Sequence, residues 1–240
     1  MLSVFIVNHI PEGGTVHLDG DEGHHAAKVV RVTVGEEIIV TDGRGTKALV
    51  TVTNIHKDQV ECSIRTREFE DVPQISLNVV QALTKSDRAR ETVELLTEAG
   101  VSSIIPWGAT RSIGQWKNDE DSRSKWQNWA KESTKQSRRT WIPSIQELHA
   151  TKDVVNAIGD YDCVLLCDEA SETKISKLLQ GSEYSKILII IGPEGGITPE
   201  EREILSSAGA QVVGLGRPVF RSAHAGAAAL AAVQTALGIW

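Results

Sequence analysis

Residues 73–240 alternate short runs of Val, Ile and Leu with segments of helical pattern, and this alternation restricts the fold more than any other feature. The apolar runs are "SLNVVQAL", "SSIIPW", "DCVLLCDE", "KILIIIG" and "QVVGL". The helical segments fall near residues 86–99, 123–138, 173–180, 198–208 and 222–237. Apolar strands separated by helices are typical of a parallel sheet that is covered on both faces. We therefore predict an α/β fold here.

Residues 1–72 have a different pattern, with five short β segments broken by turns: "SVFIV", "TVHL", "EEIIVTD", "KALVTVTNI" and "QVECSI". Gly35 and "DGRG" are turn signals, and "DEGHHAAKVVRV" has room for one or two helical turns. This pattern predicts a small barrel-like β domain. We place the boundary so that residues 1–72 form one domain and 73–240 the other.

The composition argues against several classes of protein. No apolar stretch is long enough to cross a bilayer, and the N-terminus lacks a basic region and a cleavage site, so we expect a cytoplasmic protein with no membrane partner. The cysteines Cys62, Cys163 and Cys167 form no CxxC pair, which argues against a disulfide or zinc framework. His24 and His25 have no matching ligand spacing, and we expect no metal.

The net charge of −7 is unusual for a protein that binds nucleic acid. Lys and Arg nevertheless outnumber Asp and Glu between residues 85 and 141, unlike in residues 1–73. A phosphate-binding track and a solvated helix face both fit this distribution.

The stretch "IGPEGGITPEE" joins a buried strand to a capped helix. Thr198 as N-cap, Pro199 at the first helical position and Glu201 at the third predict a capping box. Ligands of open α/β sheets bind beyond the carboxyl ends of strands, where these glycines would expose main-chain groups. A purely structural turn fits equally well, and the chain has neither a P-loop nor a dinucleotide fingerprint.

A second glycine turn occurs in "VVGLGRPVFRSAHAGAAALAAVQTALG". The Ala-rich helix allows close backbone approach, either within the chain or between subunits. Arg217 and Arg221 precede this helix at the same predicted sheet edge. Two such turns together could enclose one small molecule.

These two turns resemble the C-terminal signature of the SPOUT methyltransferases, and most closely that of the RsmE family, which methylates N3 of one uridine in 16S ribosomal RNA. "GHHAAKVVRVTVGEEIIVTDGRG" is similar to the family's PUA-like RNA-binding segment. "QALTKSDRARETVELLTEAGVSSIIPW" resembles its first strand, helix and strand, and "RSKWQNWAKESTKQSRRTWIP" its basic helix. The resemblance covers nearly the whole chain in order.

The resemblance implies a SPOUT-type parallel sheet with a C-terminal trefoil knot, which is an exception to the rule against threaded chains, preceded by a small PUA-like β-barrel domain. It implies a homodimer that binds S-adenosyl-L-methionine (SAM) and acts on 16S ribosomal RNA or a small-subunit particle. Main-chain groups around three segments would hold the cofactor: Leu166, Cys167 and Asp168; Ile191, Gly192, Pro193, Glu194, Gly195 and Gly196; and Leu215, Gly216, Arg217, Pro218, Val219 and Phe220.

Methyl transfer from a sulfonium requires positioning but no metal. Loss of the proton from uracil N3 builds negative charge on the flanking carbonyl oxygens, and Arg221, which matches the family's arginine, would stabilise that charge. Many members read Arg-Thr-Glu-Thr-Ala where this chain has "RSAHA", so Ala223 replaces the glutamate. His224 is then a candidate proton acceptor, and capping or packing of the helix start is the alternative.

Candidate phosphate contacts are basic residues of the two domains: Arg31, Lys85, Arg88, Arg111, Arg123, Lys125, Lys135, Arg138 and Arg139. Trp116 beside Lys117 is a candidate for base stacking, whereas the helical spacing of Trp126 and Trp129 predicts core packing. Two other functions stay open: methylation of another base or a ribose 2′-OH in ribosomal or transfer RNA, and a non-catalytic RNA-binding assembly factor, which the loss of the glutamate favours.

Overall fold

The structure is a computed structural model that describes residues 2–181 and 183–240, apart from the side chains of Ser86 and Asp87. Contacts divide the chain into two units. The first unit contains the residues up to Val72 together with Lys131–Ile142, and the second contains Pro73–Ala130 and Pro143–Trp240. The segment 131–142 thus lies outside the predicted first domain of residues 1–72 but belongs to the first unit.

The first unit is a five-stranded sheet with one short helix. Its elements are β1 (Val4–Ile6), β2 (Thr15–Leu18), α1 (Gly20–His24) with a π-helical continuation (His25–Val30), β3 (Glu37–Thr41), β4 (Thr46–His56) and β5 (Gln59–Phe69). The strand order is β1-β3-β4-β5-β2, with β1 parallel to β3 and the other pairs antiparallel. All five predicted strands are present. Among the described residues, the sheet is open, with β1 and β2 as its edge strands.

Polar side chains attach the segment 131–142 to the rest of the first unit. Lys135 is 6 % exposed, and its Nζ lies 2.9 Å from Glu22 Oε1 and 2.8 Å from Glu132 Oε1. Thr140 Oγ1 donates a 2.6 Å hydrogen bond to Glu70. Lys135 is therefore a buried ion-pair partner rather than the exposed phosphate contact suggested by the sequence.

The second unit is a parallel α/β sheet. Its elements are β6 (Ser76–Ala82), α2 (Ser86–Glu98), β7 (Ser103–Trp107), α3 (Asp119–Ser137), β8 (Ser144–Ile145), α4 (Thr151–Ala157), β9 (Cys163–Cys167), α5 (Ile175–Leu179), β10 (Lys186–Ile191), α6 (Pro199–Ser207), β11 (Gln211–Val213) and α7 (Ser222–Ala236). The strand order is β11-β9-β10-β6-β7-β8, and every neighbouring pair is parallel. The final turns of α3 belong to the first unit.

Both faces of this parallel sheet are buried, which confirms the predicted fold class. Val79, Leu165 and Ile189 share one core with apolar residues of α2, α3, α5 and α7. Leu166 and Ile190 face the other side, where α4 and α6 cover them. The alternation of side chains along each strand assigns successive residues to the two cores. Trp126 is buried in the first of them, as predicted.

Helix boundaries follow their caps. Thr198 Oγ1 accepts from the Glu201 N–H at 3.1 Å and Glu201 Oε2 accepts from the Thr198 N–H at 3.2 Å, which confirms the capping box of α6. Helix α3 begins four residues before its predicted start, because Asn118 Oδ1 caps the Asp121 N–H at 3.2 Å. In the described part of the chain, no helix combines the length and apolarity that a membrane span requires.

Candidate functional site

A cavity of about 550 Å³ opens at the carboxyl edge of the parallel sheet, and we call it the loop cavity. The loops that follow β9, β10 and β11 meet there, because parallel strands end at the same edge of a sheet. Its lining residues are Arg111, Cys167, Asp168, Glu169, Ile191, Gly192, Pro193, Glu194, Gly195, Gly196, Ile197, Leu215, Gly216, Pro218, Val219, Phe220, Arg221, Ser222 and Ala225. Main chain and small side chains therefore form much of the wall.

The loop after β10 approaches the loop after β7 very closely. Arg111 Nη1 donates a 3.2 Å hydrogen bond to the Gly195 carbonyl. A Cβ atom on Gly195 would lie 3.1 Å from Arg111 Cβ and 3.3 Å from the Arg111 carbonyl oxygen. Gly196 has φ +75°, a conformation that glycine adopts at low cost. The two glycines thus permit this contact and this turn, in addition to leaving room in the loop cavity.

A buried hydrogen-bond relay holds the start of this loop. Ser222 Oγ donates to the Gly192 carbonyl at 2.6 Å and accepts from Gln81 Nε2 at 3.1 Å. Gln81 is fully buried in β6, and its Nε2 also donates to the Ala82 carbonyl at 3.1 Å. Because Ser222 uses its only hydrogen on Gly192, the amide group of Gln81 must present its nitrogen to Ser222. The relay therefore links a central strand, the start of α7 and the loop cavity.

Glu201 connects three other segments beside the loop cavity. This residue is 3 % exposed, and its Oε1 accepts from the N–H and Oγ1 of Thr110 at 2.9 and 3.0 Å and from Thr151 Oγ1 at 3.0 Å. Burial alone would raise the pKa of Glu201, but these bonds and the one from Thr198 outweigh it and hold the pKa below its ordinary value of 4.5. The carboxylate fixes the segment that leads into Arg111.

The end of β9 contributes a thiol and a carboxylate to the wall. Burial raises the pKa of Cys167 to about 12, so this thiol is protonated at neutral pH and is a poor nucleophile. Asp168 Oδ2 lies 3.3 Å from Arg202 Nε on α6, and Asp168 Oδ1 accepts from the Ala170 N–H at 2.8 Å. Asp168 is consequently an oriented acceptor rather than a mobile charge.

The loop cavity includes all but two of the residues predicted to hold a cofactor. The two exceptions, Leu166 and Arg217, are described but are not among the lining residues. Leu166 is fully buried, and its side chain packs in the core that α4 and α6 cover. Arg217 lies exposed in the loop after β11.

The two predicted catalytic residues have different surroundings. Arg221 is exposed at the N-cap of α7 and lines the loop cavity. His224 is not among the lining residues, and its Nε2 lies 3.1 Å from Glu91 Oε1 on α2. Ala223, which stands where the resemblance leads us to expect a glutamate, is 1 % exposed.

The predicted phosphate contacts are spread over both units. In the second unit, Arg111 lies on the loop cavity, Arg88 Nη1 is 3.8 Å from Glu91 Oε2, and Lys85 is exposed at the N-cap of α2. Arg123 Nε donates to the Ile145 carbonyl at 2.9 Å, and its Nη1 is 3.6 Å from Glu147 Oε1. The internal partners of Arg123 make it the least available of these four for a phosphate.

Lys125 is exposed on α3 in the second unit, and the other three candidates lie in the first unit. Arg31 and Arg138 are exposed, with φ of 61° and 58°, respectively. Arg139 is partly buried, and burial lowers its pKa to about 10 although the nearby Glu70 charge opposes this effect. Arg139 is thus placed to support the first unit from within rather than to contact RNA. In the second unit, Trp116 packs edge-on against the buried Trp126, with ring centroids 5.4 Å apart, which leaves it partly covered.

Sequence reasoning missed several residues of the site. Ser222 and Gln81 form the relay, Glu201 was identified only as a helix cap, and Glu91 was not singled out. One signal was present, because Gln81 follows Val79 and Val80 in a predicted buried strand, and a buried polar side chain must find a partner. The other contacts join residues far apart in sequence and have no local signature.

Comparison with known proteins agrees with this architecture. A family profile described as RNA methyltransferase domain matches residues 71–234, and one described as RNA methyltransferase PUA domain matches residues 18–65. Ribosomal RNA small subunit methyltransferase E of Mycobacterium bovis is 32 % identical over 99 % of this chain and 93 % of its own length. The protein of the same name from Bacillus subtilis is 31 % identical, covering 94 % of this chain and 91 % of its own.

A solved structure of ribosomal RNA small subunit methyltransferase E from Neisseria gonorrhoeae, bound to SAM, superposes with a TM-score of 0.89. It is 26 % identical and covers 98 % of each chain. The doubly covered parallel sheet, the loop cavity and the matched profiles define the class of RNA methyltransferases that carry a PUA domain. Within this class, the chain belongs to the ribosomal RNA small subunit methyltransferase E family, the RsmE family that its sequence resembles.

Proposed function

We propose that this protein transfers a methyl group from SAM to N3 of one particular uridine in the 16S RNA of the small ribosomal subunit. The observation that carries the proposal is the loop cavity, which is built from the three loops that the family resemblance assigns to the cofactor. The SAM-bound relative shares this fold over nearly its whole length. The two RNA methyltransferase profiles support RNA as the substrate class.

The loop cavity fits a molecule of the size and polarity of SAM. Its volume of about 550 Å³ is within the range of roughly 300–1,000 Å³ that is typical of small-molecule sites. Gly195 and Gly196 expose main chain to it, Asp168 offers an oriented acceptor for hydroxyl or amino groups, and Cys167 is a neutral thiol. When bound, SAM supplies an electrophilic methyl group on a sulfonium.

Arg221 is the residue that we assign to the transition state. Removal of the N3 proton from uracil leaves negative charge on the adjacent carbonyl oxygens, and a guanidinium at the cavity wall would donate hydrogen bonds to that charge. The relay of Gln81 and Ser222 fixes the helix turn that begins next to Arg221. Arg221 thus has an exposed side chain on a backbone that the start of α7 holds in place.

Calorimetric titration with SAM, followed by a turnover assay, tests the proposal. We expect SAM to bind, and small-subunit particles from cells that lack the protein to gain N3-methyluridine when mapped by mass spectrometry. No binding at millimolar SAM would refute the enzyme assignment. Methyl incorporation into a ribose or another base would refute the target, and binding without any incorporation would favour a non-catalytic assembly factor.

We also propose contacts with RNA phosphates at the exposed basic residues Arg31, Lys85 and Arg138. The match of residues 18–65 to a PUA domain supports a role of the first unit in RNA binding. Since the chain is acidic overall, these contacts would be few. The logarithm of the RNA affinity should therefore fall with only a small slope against the logarithm of the salt concentration. Measurement of the dissociation constant between about 50 and 200 mM salt tests this expectation.

A homodimer is the assembly that we propose. Ile113, Val219 and Phe220 are 59 %, 71 % and 46 % exposed, and they lie in the loops that border the loop cavity. Exposed apolar side chains grouped in this way are typical of interaction surfaces. Light scattering on the eluting protein should give twice the mass of one 26.1 kDa chain, and the mass of a single chain would refute the dimer.

We further propose that the C-terminal segment is threaded as a trefoil knot. Strand β11 pairs with β9 on the side away from β10, whereas α7 returns to pack against β10, β6 and α5. This crossing supports a threaded path, which an experimental chain trace would test.

A further inference from the structure

Three ionisable side chains of the second unit form a cluster between α2 and α7, and we call it the α2–α7 cluster. It consists of Arg88, Glu91 and His224. Glu91 Oε1 lies 3.1 Å from His224 Nε2, while Glu91 Oε2 lies 3.8 Å from Arg88 Nη1. The two carboxylate oxygens of Glu91 therefore have different partners, His224 on α7 and Arg88 on α2 itself.

The α7 member of the cluster, His224, lies in the helix turn that contributes Ser222 and Ala225 to the wall of the loop cavity. Helix α2 begins just after β6, which neighbours β10, so its first turns lie at the same sheet edge as the glycine loop. On α7, the Arg221 carbonyl accepts from the backbone N–H of His224 at 2.9 Å. Arg221 itself lines the loop cavity. His224 is the third helical residue after the N-cap Arg221, and Ser222 and Ala225 on either side of it also line the loop cavity.

The contact with Glu91 determines which nitrogen of His224 can accept a proton. A carboxylate accepts hydrogen bonds only, so Nε2 must carry the hydrogen that faces Glu91. Among the described residues, Nδ1 has no hydrogen-bond partner, and in the neutral ring it is the acceptor. The hydrogen bond at one ring nitrogen thus leaves the other available to an external proton donor.

We propose that His224 is the catalytic proton acceptor for the substrate base and that Glu91 is the positioning residue that orients it. This inference rests on the proposed function. The proton on uracil N3 moves to His224 Nδ1, the freed lone pair on N3 forms the bond to the methyl carbon, and the carbon–sulfur bond breaks with its electron pair remaining on sulfur. The imidazolium, facing Glu91, later returns its proton to water.

The α2–α7 cluster contributes little to the stability of the fold. The His224 and Glu91 side chains are 39 % and 47 % exposed, and exposed pairs of this kind contribute about 0–1 kcal/mol to stability. Loss of either side chain should therefore leave the fold and the SAM affinity intact. The neighbouring residues Ser222 and Ala223 do not titrate near neutral pH, so His224 is the titratable side chain on the first turn of α7.

Turnover rates and imidazole spectra test the proposal. We expect kcat to fall by about 10²–10⁴-fold in His224→Ala, the range typical of a lost general base, with SAM affinity within twofold of wild type. Added imidazole should restore part of that rate. Glu91→Ala should lower kcat about tenfold, and Glu91→Gln, which can still accept from Nε2, should lower it less.

A second readout needs neither cofactor nor RNA. In ¹⁵N spectra of the free protein, neutral His224 should carry its hydrogen on Nε2, and Glu91→Ala should produce a mixture of tautomers. Glu61→Ala is the matched control, because Glu61 lies 3.9 Å from exposed His17 in the first unit, and its loss should change neither kcat nor the His224 signals.

The outcomes separate the two proposals. If wild-type protein transfers no methyl group to uridine, the proposed function fails. If wild type is active and His224→Ala keeps kcat within threefold, the present inference fails alone. An unchanged tautomer and an unchanged kcat in Glu91→Ala would likewise overturn the role of Glu91.

Discussion

Two serines beside the loop cavity allow a matched test of the relay. Ser222 Oγ donates to Gly192 and accepts from Gln81, whereas Ser112 Oγ is buried without any hydrogen-bond partner among the described residues. The same substitution, Ser→Ala, removes a fully used hydroxyl at one position and an unused one at the other. Loss of a paired buried group is costly, whereas loss of an unpaired one is close to neutral or stabilising.

The expected cost of Ser222→Ala follows from the two lost bonds. Each contributes about 0.5–1.5 kcal/mol net, and the Gly192 carbonyl and one Gln81 N–H lose their partner, so we expect a loss of about 2 kcal/mol. For a chain of this length, such a loss lowers Tm by roughly 4–8 °C. Ser112→Ala should leave Tm unchanged or slightly higher.

Affinity for SAM should follow the same order. The Gly192 carbonyl lies at the start of the loop that lines the loop cavity, so release of this loop should raise Kd about tenfold, which corresponds to roughly 1.4 kcal/mol. Ser222→Thr keeps the hydroxyl and should retain most of the affinity. Differential scanning calorimetry and calorimetric titration give both quantities. Equal effects of Ser222→Ala and Ser112→Ala, or a Ser222→Ala variant within about 0.5 kcal/mol of wild type, would refute the reasoning.

Three further predictions concern the same edge of the sheet. Arg221→Ala should lower kcat by about 10²–10³-fold while SAM affinity stays nearly unchanged, and a large loss of affinity in titration would show that its role is cofactor binding. Gly195→Val should abolish SAM binding, because its side chain would meet Arg111 and enter the loop cavity, and normal binding would exclude this loop from the site. Because the pKa of Glu201 is lowered in the folded state, its stabilising effect is complete above its ordinary pKa of 4.5 and is lost as pH falls through the lower folded-state pKa. Unfolding measured from pH 7 into that range should therefore show a smaller acid-induced loss in Glu201→Gln, and an unchanged pH dependence would contradict the assigned hydrogen bonds.

Local patterns in the sequence predicted the regular elements well. The parallel strands, the cap at Thr198 and the cavity-lining glycine loops all have signatures that act over a few residues. Helix α4 escaped prediction because its N-cap is Ala150, which has no side-chain oxygen, although Asp153 accepts from the Ala150 N–H at 3.0 Å. Strand β8 has only two residues and is too short to show a period.

Contacts between distant residues were not predictable in this way. The segment 131–142 joins the first unit through pairs such as Lys135 with Glu22, which are 113 residues apart. Its positive charge suggested phosphate binding, whereas in the structure Lys135 pairs with Glu22 and Glu132, and Arg139 is partly buried near the charge of Glu70. The sequence shows that a side chain is charged, but only the fold shows whether another residue of the protein already pairs with that charge.

The same distinction explains how relatives can differ widely in sequence and keep one site. This chain and the Neisseria gonorrhoeae relative share 26 % identity at a TM-score of 0.89. Four glycines, Gly192, Gly195, Gly196 and Gly216, are among the lining residues of the loop cavity, and the hydrogen-bonding groups of the main chain do not depend on the side chain at a position. Substitution should therefore be tolerated at exposed wall residues such as Glu169, and not at Gly195, where a Cβ atom meets Arg111, or at Ser222, where the hydroxyl has two partners. Selection at this site should act on backbone conformation and on the few buried polar groups that fix it.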